Sequence, residues 1–119
     1  MNAKQKIRKE CDKLWKERVF EEWGDVCVCG QRAVQGHHFF PKGLYAHLRY
    51  EIENGVPICM RCHFIQKHMG DPAVVAGIIK ARGQKWYQDL LLKSRKRPTG
   101  TFITLQYYEA IKKRLVEAG

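Results

Sequence analysis

The sequence predicts a small α+β fold in which helices at both ends of the chain enclose a short central segment. Residues 3 to 23 carry apolar side chains at helical spacing, and the same pattern returns beyond residue 72. Between them, from 25 to 70, lie short runs, turn residues, four of the five cysteines and all five histidines. We expect residues 1 to 119 to form a single domain, because a chain of this length suits one hydrophobic core.

The first helix is predicted over residues 3 to 23, with Gly24 at its end. Apolar residues recur every three or four positions, whereas lysine and arginine fill many of the others. The apolar stripe comprises Ile7, Cys11, Leu14, Trp15 and Val19. We therefore assign Cys11 to the core.

Two further helices are predicted in the C-terminal part of the chain. Asp71-Pro72 supplies a cap and the proline that is favoured in a first turn, and the helix is predicted to run from 72 to about 93. After the basic connector "KSRKRPTGT", a last helix is predicted over about 105 to 117. Their apolar residues are interpreted as core.

The central segment contains one pattern typical of a strand. In "LRYEIENG", Leu48, Tyr50 and Ile52 alternate with charged residues, which is the period of a half-buried strand. Asn54-Gly55 after it is typical of a turn. The run "MRCHFIQKHMG" has no helix breaker before Gly70 and predicts a short helix.

Charge and hydropathy indicate a partner and a compartment. The chain has 22 Lys and Arg against 12 Asp and Glu, a formal charge of +10, which favours a polyanion such as nucleic acid. The longest apolar run, "AVVAGII", is far shorter than a membrane span, and the N-terminus is charged where a signal peptide would be apolar. We expect a cytoplasmic protein with no membrane partner and with reduced thiols.

Two cysteine pairs predict a structural zinc site. Cys27 and Cys29 are separated by one residue, and Cys59 and Cys62 by two. Four thiolates complete the tetrahedral shell that structural zinc prefers, although the one-residue spacer of the first pair is uncommon. The alternative is a set of buried free thiols.

An ordered pattern is formed by three stretches and one residue after them, "CVCG", "GHHFFP", "EIENGVPICMRCH" and the trailing His68. On these residues, which cover about 27 to 68, the sequence resembles the HNH endonuclease family of the four-cysteine type. The resemblance implies a ββα-metal finger, also called a His-Me finger, with a core at about 27–69. The predicted helices at either end then flank this finger.

The resemblance also implies a role for each residue of the motif. His37 and His63 become ligands of a catalytic ion, His38 becomes the general base, and Asn54 holds the loop and orients the base. The residues themselves support divided roles for the adjacent histidines, because consecutive side chains on a strand point to opposite faces. The alternative interpretation of Asn54 is a turn asparagine before Gly55, and the two roles are compatible.

His68 and three basic residues are further candidates for the site. Some family members place a third histidine ligand where Lys67 stands here, and His68 comes one residue later, about 140° around a helix from His63. His68 is therefore a weaker candidate ligand. Arg61 and Lys67 are candidate phosphate contacts, and Arg49 is a further candidate for stabilising charge.

The predicted function is metal-dependent hydrolysis of DNA phosphodiester bonds by nicking or cutting. Hydrolysis requires a base for the water and a cation for the phosphate, for which Mg²⁺ is expected and other divalent ions suit imidazole. The substrate is expected to be double-stranded DNA, with RNA a weaker alternative, and the resemblance implies a bacterial or phage source. The alternative from another class is a non-catalytic zinc module that binds nucleic acid.

Overall fold

The computed structural model describes residues 1–68 and 70–119, without the side chains of residues 67 and 68. This part of the chain forms a small α+β structure with one two-stranded antiparallel sheet and five α-helices. The elements in order are α1 (Ala3–Trp23), β1 (Gln35–His38), β2 (Gly55–Ile58), α2 (Met60–His68), α3 (Pro72–Arg82), α4 (Gln84–Arg95) and α5 (Leu105–Glu117). Two short 3-10 turns, Ala46–Leu48 and Ile52–Asn54, lie between the strands.

The first and last helices pack together and form the larger hydrophobic core. A capping box between Asn2 and Gln5 begins α1, and Gly24, with φ of 86°, follows its last residue. α5 is capped by Thr104, whose side chain accepts from the Tyr107 backbone N–H. Both helices occupy the predicted intervals. Their buried residues are Cys11, Trp15, Val19, Tyr108, Ile111 and Leu115, joined by Tyr50.

The sheet lies directly against α1. In its register Gln35 pairs with Ile58 and His38 with Gly55. A Cβ atom at Gly55 would overlap Val19 Cγ2, and one at Gly36 would lie 2.9 Å from Trp15 Cζ3. Both glycines therefore allow the strands to approach the helix closely. The Asn54-Gly55 prediction is wrong in detail, because Gly55 has φ of −90° and begins β2 after the 3-10 turn.

The strand predicted over "LRYEIENG" is not formed. The two 3-10 turns occupy this region, and the backbone bonds locally, Glu51 N–H to Leu48 C=O and Asn54 N–H to Glu51 C=O. Leu48 and Tyr50 are nevertheless buried, as the alternation predicted. The pattern of burial was right and the backbone conformation wrong, because β1 pairs with the residues from Gly55 onward.

The single helix predicted over 72–93 is divided in two. Asp71 caps α3 by accepting from Ala73 N–H, as predicted. Gly83 then takes φ of 95°, and its N–H donates to Ile79 C=O, which ends α3 before α4 begins. Glycine tolerates this left-handed conformation, so the chain changes direction here while the apolar pattern continues across the break.

Candidate functional site

Four cysteine side chains meet between the turn that precedes β1 and the start of α2. The sulfur atoms of Cys27, Cys29, Cys59 and Cys62 all lie within 4.8 Å of one another, and Cys29 Sγ is 3.7 Å from Cys59 Sγ. Tetrahedral zinc with bonds of about 2.3 Å separates its sulfur ligands by about 3.8 Å. The four cysteines are positioned to hold a metal ion, and the chemistry of four thiolates makes zinc the plausible one.

Two tight backbone structures present the sulfurs. Residues 26 to 32 form a narrow turn in which Cys27 N–H donates to Gln31 C=O and Gly30 N–H donates to Cys27 C=O. Gly30 has φ of 92°, a conformation suited to glycine, so the chain reverses immediately after Cys29. The second pair lies at the first turn of α2. The one-residue spacer therefore does not prevent the four sulfurs from meeting.

The pKa values within the cluster show why a cation suits it. The Cys62 backbone N–H donates to Cys59 Sγ at 3.4 Å, and this bond lowers the pKa of Cys59 to about 7. Burial raises the pKa of Cys27 and of Cys62. Without a cation, four thiolates in this space would repel one another, whereas a bound Zn²⁺ stabilises all four ionised sulfurs.

His37 and His38 project to opposite sides of β1, as predicted. The ring of His37 approaches the ring of His63 on α2, with centroids 5.7 Å apart and planes at 74°. The ring of His38 instead stacks on Trp15 of α1, with centroids 4.1 Å apart and planes at 4°. The two adjacent imidazoles therefore occupy separate environments, one between β1 and α2 and the other between β1 and α1.

The environment of His38 fixes its tautomer. Its Nε2 lies 3.0 Å from the carbonyl oxygen of Arg49, and a carbonyl oxygen only accepts, so Nε2 carries the proton. Burial lowers the pKa of His38 to about 4; the hydrogen bond to the Arg49 backbone opposes this shift, and the charges of Lys42 and Arg49 reinforce it. The imidazole is therefore neutral at pH 7, with Nδ1 unprotonated. Burial, followed by His63, likewise lowers the pKa of His37 to about 4.

Asn54 is fully buried and holds the loop that follows β1. Its Oδ1 accepts from Phe40 N–H at 2.8 Å, and its Nδ2 donates to the carbonyl oxygens of Phe40 and Leu48. These bonds tie the loop after β1 to the residue that precedes β2. The ring of His38 is bonded to Arg49 rather than to Asn54, so Asn54 influences His38 only through the backbone.

The structure changes the interpretation of Arg49. Its guanidinium donates to both carboxylate oxygens of Asp12 at 3.0 to 3.2 Å, so this group is engaged within the fold. Arg61 is exposed at the start of α2, where the prediction of a phosphate contact stays open. The side chains of Lys67 and His68, with their predicted roles, lie outside the described part of the structure.

Sequence reasoning missed the contribution of α1 to the histidine site. Trp15 was correctly assigned to the apolar stripe of α1. The spacing of that stripe does not predict that the indole stacks on His38. Asp12 was not singled out at all. The one signal in the sequence is the position of Asp12 beside the apolar stripe, where a carboxylate needs a partner.

Comparison with protein-family models, with curated proteins and with solved structures gave no match. Within the described residues, no helix combines the length and the apolar character needed to cross a membrane.

Proposed function

We propose that this protein is a metal-dependent endonuclease of the HNH type that hydrolyses DNA phosphodiester bonds. The observation that carries the proposal is the separation of two partly buried, neutral histidines on one strand. The ring of His37 on β1 faces the ring of His63 on α2. The Nε2 of His38 is bonded to the Arg49 carbonyl oxygen, which leaves Nδ1 unprotonated. The antiparallel pair β1–β2 followed by α2 is the order of elements that the family resemblance implies.

The pair His37 and His63 fits a divalent cation. An imidazole nitrogen binds such an ion at about 2.1 Å, so two rings sharing one ion have centroids at most about 6.5 Å apart. The observed separation of 5.7 Å falls within that limit. A divalent cation bound there would polarise the scissile phosphate and neutralise charge on the leaving oxygen.

His38 is proposed to act as general base. Its Nδ1 accepts a proton from a water molecule as the water oxygen forms a bond to phosphorus, and the bond from phosphorus to one bridging oxygen breaks. The leaving oxygen takes a proton from solvent, so the products are a phosphate monoester and an alcohol. The Arg49 carbonyl keeps Nε2 protonated and stabilises the imidazolium that forms.

The positive charges near the loop after β1 support DNA as the substrate. The basic connector lies against this loop, because His47 Nε2 donates to the Lys93 and Ser94 carbonyl oxygens and Arg97 donates to Leu44 C=O. Lys42, on the same loop, adds a charge close enough to lower the pKa of His38. Among the described residues, Lys42, Arg95 and Lys96 are exposed and form no ion pairs, which leaves them available to phosphates.

Incubation of the zinc-loaded protein with supercoiled plasmid tests the proposal. We expect nicked or linear plasmid with Mg²⁺ or Mn²⁺, no reaction with EDTA, and recovery when excess Mg²⁺ is returned. Supercoils that persist under every metal and at low salt would contradict the proposal. A gel shift with the same DNA would then support the rival function, a zinc module that binds nucleic acid without cutting it.

A further inference from the structure

Trp15 and His38 form the closest ring contact of the histidine site. The planes are nearly parallel at 4°, with the centroids 4.1 Å apart, and Trp15 is only 3% exposed. The indole is itself fixed, because Trp15 Nε1 donates to the Glu51 carbonyl oxygen at 2.9 Å. A Cβ atom at Gly36 would lie 2.9 Å from the same indole. The indole on which His38 stacks is therefore held by a hydrogen bond and packed closely against β1.

A second contact from α1 reaches His38 through Arg49. Asp12 accepts bonds from Nε and Nη2 of Arg49, and it also accepts from Tyr50 Oη at 2.8 Å. These bonds hold the backbone of Arg49 in the position from which its carbonyl accepts from His38 Nε2. Asp12 and Trp15 are three residues apart, so they lie on the same face of α1.

We propose that α1 positions the His38 imidazole, with Trp15 and Asp12 as positioning residues that are not part of the metal finger itself. That this positioning aids catalysis rests on the proposed function. The positioning itself rests on the geometry of His38. Both residues act through others: Trp15 supports the face of the ring, and Asp12 supports the carbonyl that holds Nε2.

The two supports restrain different motions of the ring. Stacking on Trp15 restrains the tilt of the imidazole plane, and the bond to Arg49 restrains rotation within that plane. With both in place, Nδ1 points in one direction and remains the unprotonated nitrogen. A displacement of about 1 Å in a catalytic group can reduce a rate about 100-fold, so this restraint matters for a base.

Three variants test the inference. Trp15→Leu removes the stacking surface, and Asp12→Asn weakens the support of Arg49 while keeping the size and shape of a side chain that is partly exposed. Trp23→Phe is the matched control, because Trp23 is on the same helix and donates to the Ile52 carbonyl oxygen at 3.0 Å, while its ring contacts Arg82 rather than His38. Each variant is first examined for zinc content and cooperative unfolding.

The direct measurement is the ¹H–¹⁵N spectrum of the His38 imidazole at pH 7.5, assigned with the help of His38→Ala. In the wild type we expect one tautomer and slow solvent exchange of the Nε2 proton. In Asp12→Asn we expect faster exchange and a mixture of tautomers. Trp15→Leu should show the same change if it folds, and Trp23→Phe should match the wild type.

Plasmid nicking supplies the catalytic readout. We expect Asp12→Asn to reduce kcat about tenfold or more with little change in KM, since the base is misplaced while DNA contacts remain. An unchanged tautomer and exchange rate in Asp12→Asn would overturn the inference. If the wild type cuts no DNA, the proposed function fails, whereas the spectra still decide whether α1 positions His38.

Discussion

Replacement of His38 by alanine is expected to reduce the rate of plasmid nicking by about 10²- to 10⁴-fold at saturating Mg²⁺. The variant removes the neutral imidazole whose Nδ1 is available to take a proton from water. DNA binding should persist, because the basic side chains of the loop and the connector are unchanged. The measurement is a single-turnover time course of plasmid nicking, with a gel shift on the same DNA.

The control for His38→Ala is His47→Ala. His47 is also a half-buried histidine of the central segment, but its Nε2 donates to the Lys93 and Ser94 carbonyl oxygens rather than lying between β1 and α1. At saturating protein we expect this variant to retain most of the wild-type single-turnover nicking rate, although it loses two bonds between the loop and the connector and should bind DNA less tightly. Equal rates for His38→Ala and the wild type would remove His38 from the mechanism.

Replacement of Cys59 by serine is expected to abolish stoichiometric zinc binding and to destabilise the protein. The cluster joins the turn before β1 to the start of α2, and its associated apolar core is small, with Ile58 and Val74 packed against the cysteines. Structural zinc contributes about 10–16 kcal/mol of binding free energy in small zinc peptides. If the free energy of unfolding fell by only about 3 kcal/mol, Tm would fall by about 10 °C. Elemental analysis and thermal unfolding measure both effects.

Cys11→Ser is the matched control for the zinc site. Cys11 is fully buried, but it lies in the core between α1 and α5, where its Sγ donates to the Tyr108 carbonyl oxygen at 3.4 Å. This variant should keep one zinc ion per chain, even if it unfolds at a lower temperature. Equal zinc content in Cys11→Ser and Cys59→Ser would contradict the four-cysteine assignment.

The features that the sequence predicted well depend on local patterns. Apolar periodicity placed α1 and α5, Asp71-Pro72 placed the start of α3, and spacing in the chain identified the four cysteines that meet. The alternation of side chains along a strand correctly separated His37 from His38. Each of these results follows from a period or a spacing that is visible within a short stretch.

The features that the sequence did not predict depend on distant contacts or on one backbone angle. Trp15 stacks on a ring 23 positions later in the chain, and Asp12 binds Arg49, which removes Arg49 from the set of free cations. Neither pairing has a local signature. The division of the predicted 72–93 helix required Gly83 to take a positive φ, which glycine permits but does not impose.

The division of labour between His37 and His38 is tested most directly by the dependence of nicking rate on Mn²⁺ concentration in His37→Ala and His38→Ala. If His37 is a ligand, His37→Ala should require at least about tenfold more Mn²⁺ for half its maximal rate. If His38 is the base, the nicking rate of His38→Ala should reach half its maximum at the same Mn²⁺ concentration as in the wild type. Its maximal rate should be much lower. Identical metal dependence and identical plateaus in the two variants would contradict the account.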